Sequence, residues 1–404
     1  MTGNILAFWN PKAIDRENGG YRLNHDALGE WQGRSGNREL VGQARTLWFF
    51  ARLMTTPYRS KAYDSAARHG FDFLRDRLWD EQFGGFFWEV DSTGRVPTKV
   101  DKHLYGQAFG LYALAEYAIA TGDARAEAMA RQLYGLLEQH AHDIANGGYR
   151  EFFRRDWSAA EPAFVTYMQN RADVKQLNTH VHLLEAFTRY SHLVREPAVR
   201  DRLTELIVVM SNTVVRKGAI ACTDVHDSAW VPSTTPAHSL VTYGHDLENI
   251  WLLIEACEAV ALPNALLRDL YESLFHNAWR FGFDHRRGGF FYQGPLRKSV
   301  TARQKVWWVQ AEALLCALHM YRLTRKEVYF RCFRETLDWI TRRQIDWTVG
   351  EWHGRIETDG TSSGGKSGDR TGRWKTPYHN GRAIIRCLEL LGDEDVEVVT
   401  RHLP

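Results

Sequence analysis

Apolar residues recur at helical spacing in six stretches of the chain, and polar, glycine-containing segments separate these stretches. The pattern predicts helices at 40–53, 104–120, 179–193, 247–261, 308–323 and 382–391. A second helical pattern follows each of them, as at 58–78 and 124–140. Helices that alternate in this way predict a chain built from helical pairs.

A glycine signal recurs between the helical pairs. A glycine or glycine pair precedes an aromatic residue at Gly19-Gly20-Tyr21, Gly84-Gly85-Phe86, Gly147-Gly148-Tyr149, Gly288-Gly289-Phe290 and, more weakly, Gly350-Glu351-Trp352. With a degenerate copy at 217–220, the step is roughly 60 to 70 residues, which suits one helical hairpin with its loops. The aromatic runs 86–88 and 290–292 favour short β segments. We therefore predict an all-α fold, an (α/α)6 barrel of six helical hairpins with short β segments in the loops at one end. The barrel is expected to form a single domain over residues 1–404.

The composition is that of a globular protein, with 44% hydrophobic residues, 25% charged residues and a formal net charge of +2. Lysine and arginine are dispersed, so we expect no nucleic-acid or membrane partner. No apolar run approaches about 18 residues, and the protein is expected to be cytoplasmic. The five cysteines lie far apart, which predicts buried thiols. The Gly/Ser-rich segment 360–368 predicts a surface loop rather than a phosphate-binding loop.

Polar or aromatic residues stand at the start of each of the six helices, in step with the repeat. They are Arg45, Tyr105, Asn178 with His182, His245 with Glu248, Trp308 with Glu312, and His379 with Arg382. If these helices form the inner ring and begin at one mouth, their side chains converge on one cavity. Residues three or four apart share a helix face, whereas His180 and His182 point away from each other, so we expect no metal site there.

Three motifs carry a family resemblance, at 243–248 (Tyr-Gly-His-Asp-Leu-Glu), 178–182 (Asn-Thr-His-Val-His) and 377–382 (Pro-Tyr-His-Asn-Gly-Arg). They resemble the N-acylglucosamine 2-epimerase superfamily, and within it the branch of the cellobiose and mannose 2-epimerases. The segments 44–48, 102–107 and 307–312 agree as well, so the resemblance covers essentially the whole chain.

The resemblance implies an (α/α)6 barrel that needs no metal, nucleotide or other cofactor. It implies that His245 and His379 are the general acid and base, and that His182 assists near the reacting oxygens. Together with the repeat positions, it makes the candidate substrate-binding residues Arg45, Tyr105, Asn178, Glu248, Trp308, Glu312, Trp374 and Asp173. Asp173 is included because an acidic residue before the Asn-Thr-His motif contacts sugar in the disaccharide branch.

Two departures from the family bear on the substrate. The N-acylglucosamine epimerases proper lack the Asn-Thr-His-x-His pattern, so we do not expect an N-acetylated sugar. The stretch 223–242 is longer than in cellobiose epimerases, and we expect it to narrow or cover the outer part of the site. This favours a monosaccharide of the glucose and mannose type, while a β-1,4-linked disaccharide stays open.

The chemistry suits these groups, because removal of the hydrogen beside an aldehyde needs a base near neutral pH and stabilisation of the enediolate oxygen. Imidazole supplies the base, and Arg45 and His182 are expected to stabilise the oxygen. Two histidines on opposite faces of C2 would invert its configuration. Return of the proton to C1 would make an aldose-ketose isomerase instead. A glycoside hydrolase using Glu248 and Glu312, or a non-catalytic sugar-binding protein, are the remaining alternatives. The expected partner is a small sugar, and the expected assembly is a monomer or homodimer.

Overall fold

A computed structural model describes residues 1–33, 36–363 and 368–400 of the chain. Part of the predicted surface loop, 364–367, lies outside the described residues. The helices within the described residues are α1 (Ala7–Lys12), α2 (Leu40–Leu53), α3 (Lys61–Phe73), α4 (Leu104–Thr121), α5 (Ala124–Leu136), α6 (Leu177–Val194), α7 (Pro197–Val208), α8 (Tyr243–Ala259), α9 (Arg268–Gly282), α10 (Trp307–Thr324), α11 (Glu327–Trp339) and α12 (Tyr378–Thr400). Single π-helical turns occur at Thr2–Leu6, Leu74–Leu78, Leu137–Ala141, Val209–Thr213 and Ile340–Gln344, and 3-10 turns at Pro236–Ser239 and Asn264–Leu267.

The six predicted helices form a closed inner ring. Each of α2, α4, α6, α8 and α10 packs against the next, and α12 packs against both α10 and α2. The helix that follows each of the first five packs on its outside. The two ends of the chain meet at Glu351, which accepts hydrogen bonds from Trp9 of α1 and Asn380 of α12. This architecture confirms the predicted all-α barrel.

The inner and outer helices differ in how their surfaces are covered. Almost every residue of α2 and of the first four turns of α4 is buried, because an inner helix contacts neighbours on all sides. The outer helices α3 and α11 keep one exposed polar face. All five cysteines are buried and unpaired, as predicted. Among the described residues, none of the helices is long and apolar enough to cross a membrane.

Short strands gather at the end of the barrel where the inner helices begin. They are β1 (Arg38–Glu39), β2 (Glu89–Val90), β3 (Pro97–Lys99), β4 (Lys102–His103), β5 (Phe152–Phe153), β6 (Lys175–Gln176), β7 (Val215–Arg216), β8 (Ala221–Cys222), β9 (Val225–His226), β10 (Leu240–Thr242), β11 (Gln293–Pro295), β12 (Lys305–Val306) and β13 (Arg355–Ile356). Each of β1, β4, β6, β10 and β12 runs directly into an inner helix. Each pairs antiparallel with a strand from the following loop, in the pairs β1–β2, β4–β5, β6–β9, β10–β11 and β12–β13; β3 adds to β2, and β7 pairs with β8.

The predicted β segments at 86–88 and 290–292 are displaced by a few residues. Phe86 and Phe290 make single β-bridges, and the strands β2 and β11 begin three residues later. The glycine before each aromatic explains the shift. Gly85 has a φ of +69°, and a side chain there would collide with Trp157, so the chain turns sharply before it can extend.

The glycine turn is anchored to the barrel by side chains that the glycine signal does not include. Asp80 begins the turn, and its main chain bonds Gly84 and Gly85. Its carboxylate accepts a hydrogen bond from Lys102 Nζ at 2.9 Å. Gln107 of α4 accepts from the main-chain N–H of Phe86 and donates to its carbonyl, both at 2.9 Å. Turn, strand and inner helix are thereby joined as one unit.

The same arrangement of an aspartate, a cationic residue and a glutamine or histidine recurs in three other repeats. In each set the cationic residue lies five positions before the glutamine or histidine. The corresponding sets are Asp15, Arg38 and Gln43; Asp143, Lys175 and His180; and Asp284, Lys305 and Gln310. The unit with the degenerate glycine copy differs, since Asp246 accepts from the main-chain N–H of Cys222 at 2.7 Å. His180 therefore has a structural role, and it does not share a site with His182.

Candidate active site

The predicted polar residues lie at the mouth formed by the starts of the inner helices. His379 stands in the first turn of α12 and is buried. Its Nδ1 lies 2.6 Å from Oε1 of Glu312. Oε2 of Glu312 accepts a hydrogen bond from Trp251 Nε1 at 2.8 Å, and Oε1 accepts one from Arg382 Nη2 at 2.7 Å. The carboxylate therefore acts as the acceptor, and Nδ1 of His379 donates to it. Nε2 of His379 is thereby left as the basic nitrogen. Burial holds its pKa well below the usual value, which keeps the ring neutral at pH 7.

His245 lies in the first turn of α8 and is half-buried. The ring of Trp308 contacts both histidines, with its centroid 5.0 Å from that of His245 and 5.6 Å from that of His379. Burial lowers the pKa of His245, while the carboxylates of Asp224 and Glu312 act in the opposite direction. The structure therefore brings the two predicted acid/base residues together around one indole.

Arg382 is at the centre of a buried ionic cluster behind the two histidines. Its Nη2 donates to Glu248 Oε1 at 3.0 Å and to Glu312, and its Nη1 donates to Glu185 and to the hydroxyl of Tyr378. Three carboxylates thus share one guanidinium. Burial raises the pKa of Glu248 well above its usual value and also raises that of Glu312. These two residues were predicted to bind substrate, but in the structure both contact Arg382, and Glu312 orients His379.

Some of these groups have a spacing that a metal ion would accept. Among the described residues, Glu248, Glu312 and His379 each offer a ligand atom, and the three atoms lie within 4.8 Å of one another. The guanidinium of Arg382 already bonds both carboxylates. The chain itself supplies a positive charge at this position.

His182 is held on the opposite side of the cluster. Its Nδ1 lies 3.1 Å from Oε2 of Glu185. Burial alone would raise the pKa of Glu185, but Arg382 and its hydrogen bonds lower it to about 2, so this carboxylate can only accept. Nδ1 of His182 must therefore donate, and burial lowers the pKa of its ring to about 4. His182 is thus neutral with an acceptor at Nε2, whereas the sequence led us to expect a hydrogen-bond donor for the enediolate.

Arg45 is fixed by aromatic residues. Its Nη2 donates to the hydroxyl of Tyr105 at 2.8 Å, and its Nη1 donates to the carbonyl of Trp374 at 3.2 Å. The guanidinium lies 4.2 Å above the ring of Phe109 and 4.8 Å from that of Tyr378. Arg45, Tyr105 and Trp374 are therefore brought together as predicted. The two hydrogen bonds and the cation–π contacts with Phe109 and Tyr378 hold the guanidinium of Arg45 in place.

The two acidic candidates near Asn178 are placed differently. Asp173 is exposed, and its carboxylate pairs with Arg171 at 2.8 Å on the surface of the preceding loop. The structure does not bring it to the cluster. Asp224, which sequence reasoning missed, accepts a hydrogen bond from the main-chain N–H of Asn178 at 2.9 Å. Its charge also acts to raise the pKa of His245. It lies at the start of the long stretch 223–242, where no local motif marks it.

Four further residues of the site were missed, and two of them had a usable signal. Glu185 follows His182 by three residues on the same helix face, which is a recognisable spacing. Tyr378 lies inside the motif 377–382, next to His379. Trp251 and Phe109 reach the cluster through the packing of separate helices, and neither a motif nor a periodicity distinguishes them from core residues.

The comparisons with known proteins agree with this geometry. The N-acylglucosamine 2-epimerase (GlcNAc 2-epimerase) family model matches residues 19–380. A cellobiose 2-epimerase from Bacteroides fragilis is 29% identical over 97% of both chains. A D-mannose isomerase from Marinomonas mediterranea is 26% identical over 96% of this chain and 95% of its own. The solved structure of a cellobiose 2-epimerase from Bacillus thermoamylovorans superposes with a TM-score of 0.88 at 29% identity, over 96% of each chain.

These findings confirm the predicted fold and the predicted enzyme class, an isomerase of the sugar epimerase type. The family match extends from the first glycine turn to the first turn of α12 and so includes the inner helices α2, α4, α6, α8 and α10 in full. The chain belongs to the N-acylglucosamine 2-epimerase family.

Proposed function

We propose that the protein is a carbohydrate 2-epimerase that interconverts aldoses of the glucose and mannose type, with β-1,4-linked disaccharides as a possible extension. The observation that carries the proposal is the pair of imidazoles, His245 and His379, that contact Trp308 from two different inner helices. We propose further that residues 1–404 form one catalytic domain, and that the enzyme acts in the cytoplasm as a monomer or homodimer.

In the proposed reaction one histidine, as the neutral imidazole, removes the proton at C2, and the other, as the imidazolium, delivers a proton to the opposite face. Neutral imidazole is a suitable base near pH 7. Glu312 supports this role at His379, since its carboxylate stabilises the imidazolium that forms. Arg45, held by Tyr105 and Phe109, is the preorganised cation for the enediolate oxygen.

Opening of the sugar ring requires a base for the anomeric hydroxyl. His182 suits this step, because its Nδ1 is engaged by Glu185 and its Nε2 is an acceptor. We assign ring opening to His182 for this reason. The half-buried indole rings of Trp308 and Trp374 supply apolar surface for the open chain.

An aldose-ketose isomerase is the second candidate. The similarity to a protein named D-mannose isomerase favours it, and the same histidines would then return the proton to C1 instead of C2. Glycoside hydrolysis is not supported. A glycoside hydrolase needs two carboxyl groups that flank the scissile bond, about 5 to 9.5 Å apart. Glu248 and Glu312 instead bond the same guanidinium nitrogen and lie within 4.8 Å of each other.

The deciding experiment incubates the protein with glucose, mannose, cellobiose and N-acetylglucosamine and separates the products by chromatography. We expect C2 epimers of the unsubstituted sugars, with or without a chelator. A ketose as the main product would identify an isomerase, and release of monosaccharide from cellobiose would identify a hydrolase.

A further inference from the structure

The loops that follow β5, β9 and β13 fold alike. Each is closed by a single β-bridge between residues six apart, Phe153 with Ala159, His226 with Pro232, and Ile356 with Ser362. The fourth residue after the first bridge partner has a positive φ in each loop, +67° at Trp157, +65° at Trp230 and +91° at Gly360. Gly360 therefore occupies the position that a tryptophan holds in the other two loops.

The two loop tryptophans cover the glycine turns beside them. The Nε1–H group of Trp157 donates to the carbonyl of Phe83 at 3.2 Å, and that of Trp230 donates to the carbonyl of Gly147 at 3.1 Å. In both repeats an indole thus fills the gap between the loop and the turn.

The corresponding gap in the third loop is open. The loop 356–360 lies beside the turn 284–288, and Nη1 of Arg287 donates across to the carbonyl of Thr358 at 3.1 Å. A cavity of about 700 Å³ lies between them, and Trp339 at the end of α11 also lines it. We call this cavity the outer groove. Its volume is typical of small-molecule sites, and its lining includes none of the residues of the candidate active site.

The carboxylates of the outer groove already have partners, whereas several of its arginines do not. Three of its five carboxylates have a cation of their own, in the pairs Asp284 with Lys305 at 2.9 Å, Asp338 with Arg342 at 2.8 Å and Glu335 with Arg331 at 4.0 Å. The other two, Glu357 and Asp359, accept from hydroxyl groups of their own loop. Within the described part of the chain, the exposed guanidinium groups of Arg286, Arg303 and Arg343 make no ion pair.

The remaining charge of the outer groove favours a doubly charged anion. Besides the three ion pairs, four guanidinium groups, those of Arg287 and of the three unpaired arginines, face the carboxylates of Glu357 and Asp359, an excess of two positive charges. A phosphate monoester carries about −1.5 to −2 charges at pH 7 and offers three acceptor oxygens. The planar guanidinium group matches phosphate oxygens with two parallel N–H donors. A carboxylate ligand would supply only one negative charge.

We propose that the outer groove binds a small phosphate monoester at a site separate from the active site. The open position at Gly360 supplies the space, and the unpaired arginines supply the donors and the charge. This inference goes beyond the proposed function and does not depend on it.

Isothermal titration calorimetry of the full-length protein tests the proposal, with glucose 6-phosphate and inorganic phosphate as probes. We expect saturable binding of glucose 6-phosphate at one site in the groove. Potassium chloride at equal ionic strength should not reproduce it, because chloride cannot bridge several guanidinium groups.

Two variants should remove this binding for different reasons. Gly360→Trp should fill the groove as Trp157 and Trp230 fill the other two gaps, and it should fold, since an added Cβ meets no atom within 4 Å. Arg303→Gln leaves the space open and should weaken binding by about tenfold or more, a usual effect of losing a hydrogen bond between charged groups. The matched control is Arg95→Gln, because Arg95 is exposed in another loop and should not affect binding. Circular dichroism checks that all three variants keep their helices.

Absence of saturable binding of either probe would overturn the proposal. So would binding that Gly360→Trp and Arg303→Gln leave unchanged, or an equal loss in Arg95→Gln, which would indicate unspecific attraction to surface charge. Saturable binding of inorganic phosphate alone, lost in both groove variants, would replace the monoester by the free anion and overturn the assigned class. These outcomes are measured as binding, so they are distinct from a failure of the proposed function, in which no C2 epimer would form.

Discussion

Nδ1 of His379 lies 2.6 Å from Oε1 of Glu312, and this contact joins the first turn of α12 to α10. It decides which nitrogen of the imidazole is basic. Because Glu312 also accepts from Trp251 of α8 and from Arg382 of α12, its own position is fixed by two further residues. The basic nitrogen of His379 is therefore oriented by the packing of the ring as a whole.

Glu312→Gln should lower kcat by about 10²-fold or more with a smaller change in KM. An amide can donate to Nδ1 and so stabilise the wrong tautomer, an effect that is severe in other enzymes with an oriented histidine. Steady-state kinetics with the preferred sugar measures both constants. An effect confined to KM would show that Glu312 binds the sugar and does not orient His379.

His245→Ala and His379→Ala should each lower turnover by at least about 10²-fold while the barrel stays folded. The control is His276→Ala, since His276 is exposed on the outer helix α9. Circular dichroism should show unchanged helix content in all three variants. Turnover within a few-fold of the unmodified enzyme for either mouth variant would remove that residue from the mechanism.

In deuterated water the early epimeric product should carry deuterium at C2, while unreacted substrate stays largely unlabelled. The reason is that the proton removed by one histidine is replaced from the other, whose N–H has exchanged with solvent. Mass spectrometry and proton NMR of the separated sugars measure the label. Early product with protium at C2 would exclude proton transfer between two histidines that exchange with solvent.

His180→Gln should reduce the sensitivity of the fold to acid. Burial lowers the pKa of His180 to about 3, so the folded state leaves it neutral while the unfolded chain binds a proton below about 6.5. Stability is therefore lost as the pH falls from about 6.5 towards 3. Glutamine occupies the equivalent place in three other repeats, where it bonds the aromatic main chain.

Thermal melts at pH 7 and pH 5 test this substitution. We expect similar Tm values for both proteins at pH 7 and a smaller fall at pH 5 for the variant. Equal falls in Tm for the variant and the unmodified protein would mean that other buried histidines, such as His103, dominate the loss of stability in acid.

Asp224→Asn should lower kcat/KM by about tenfold, since a hydrogen bond to a charged group is worth about 1.5 to 3 kcal/mol. It should also move the pH limb governed by His245 to lower pH, because the carboxylate of Asp224 raises the pKa of that ring. Asp173→Asn is the matched control and should behave like the unmodified enzyme. If kcat/KM fell in Asp173→Asn and not in Asp224→Asn, Asp173 would be the acidic residue of the site.

The sequence by itself determined the helices and the residues at their starts. Four of the six inner helices begin and end within two residues of prediction, because apolar periodicity reports burial along one element. Helices α8 and α12 each begin four residues earlier than predicted, at Tyr243 and Tyr378, because their first turns carry polar residues that face other groups in the site. The repeat phase also identified both histidines, Arg45 and Tyr105, since each unit places its helix start at the same end.

Only the tertiary structure decided what these residues do to one another. Arg382 joins carboxylates from α6, α8 and α10, and no spacing along the chain reveals that they share one guanidinium. The ionised state of Glu185 sets the tautomer of His182, which depends on that guanidinium. Asp224, and not the nearer Asp173, reaches the mouth because β9 pairs with β6 across the loop. Periodicity reports which face of an element is buried, but protonation and orientation depend on the groups that face it from other elements.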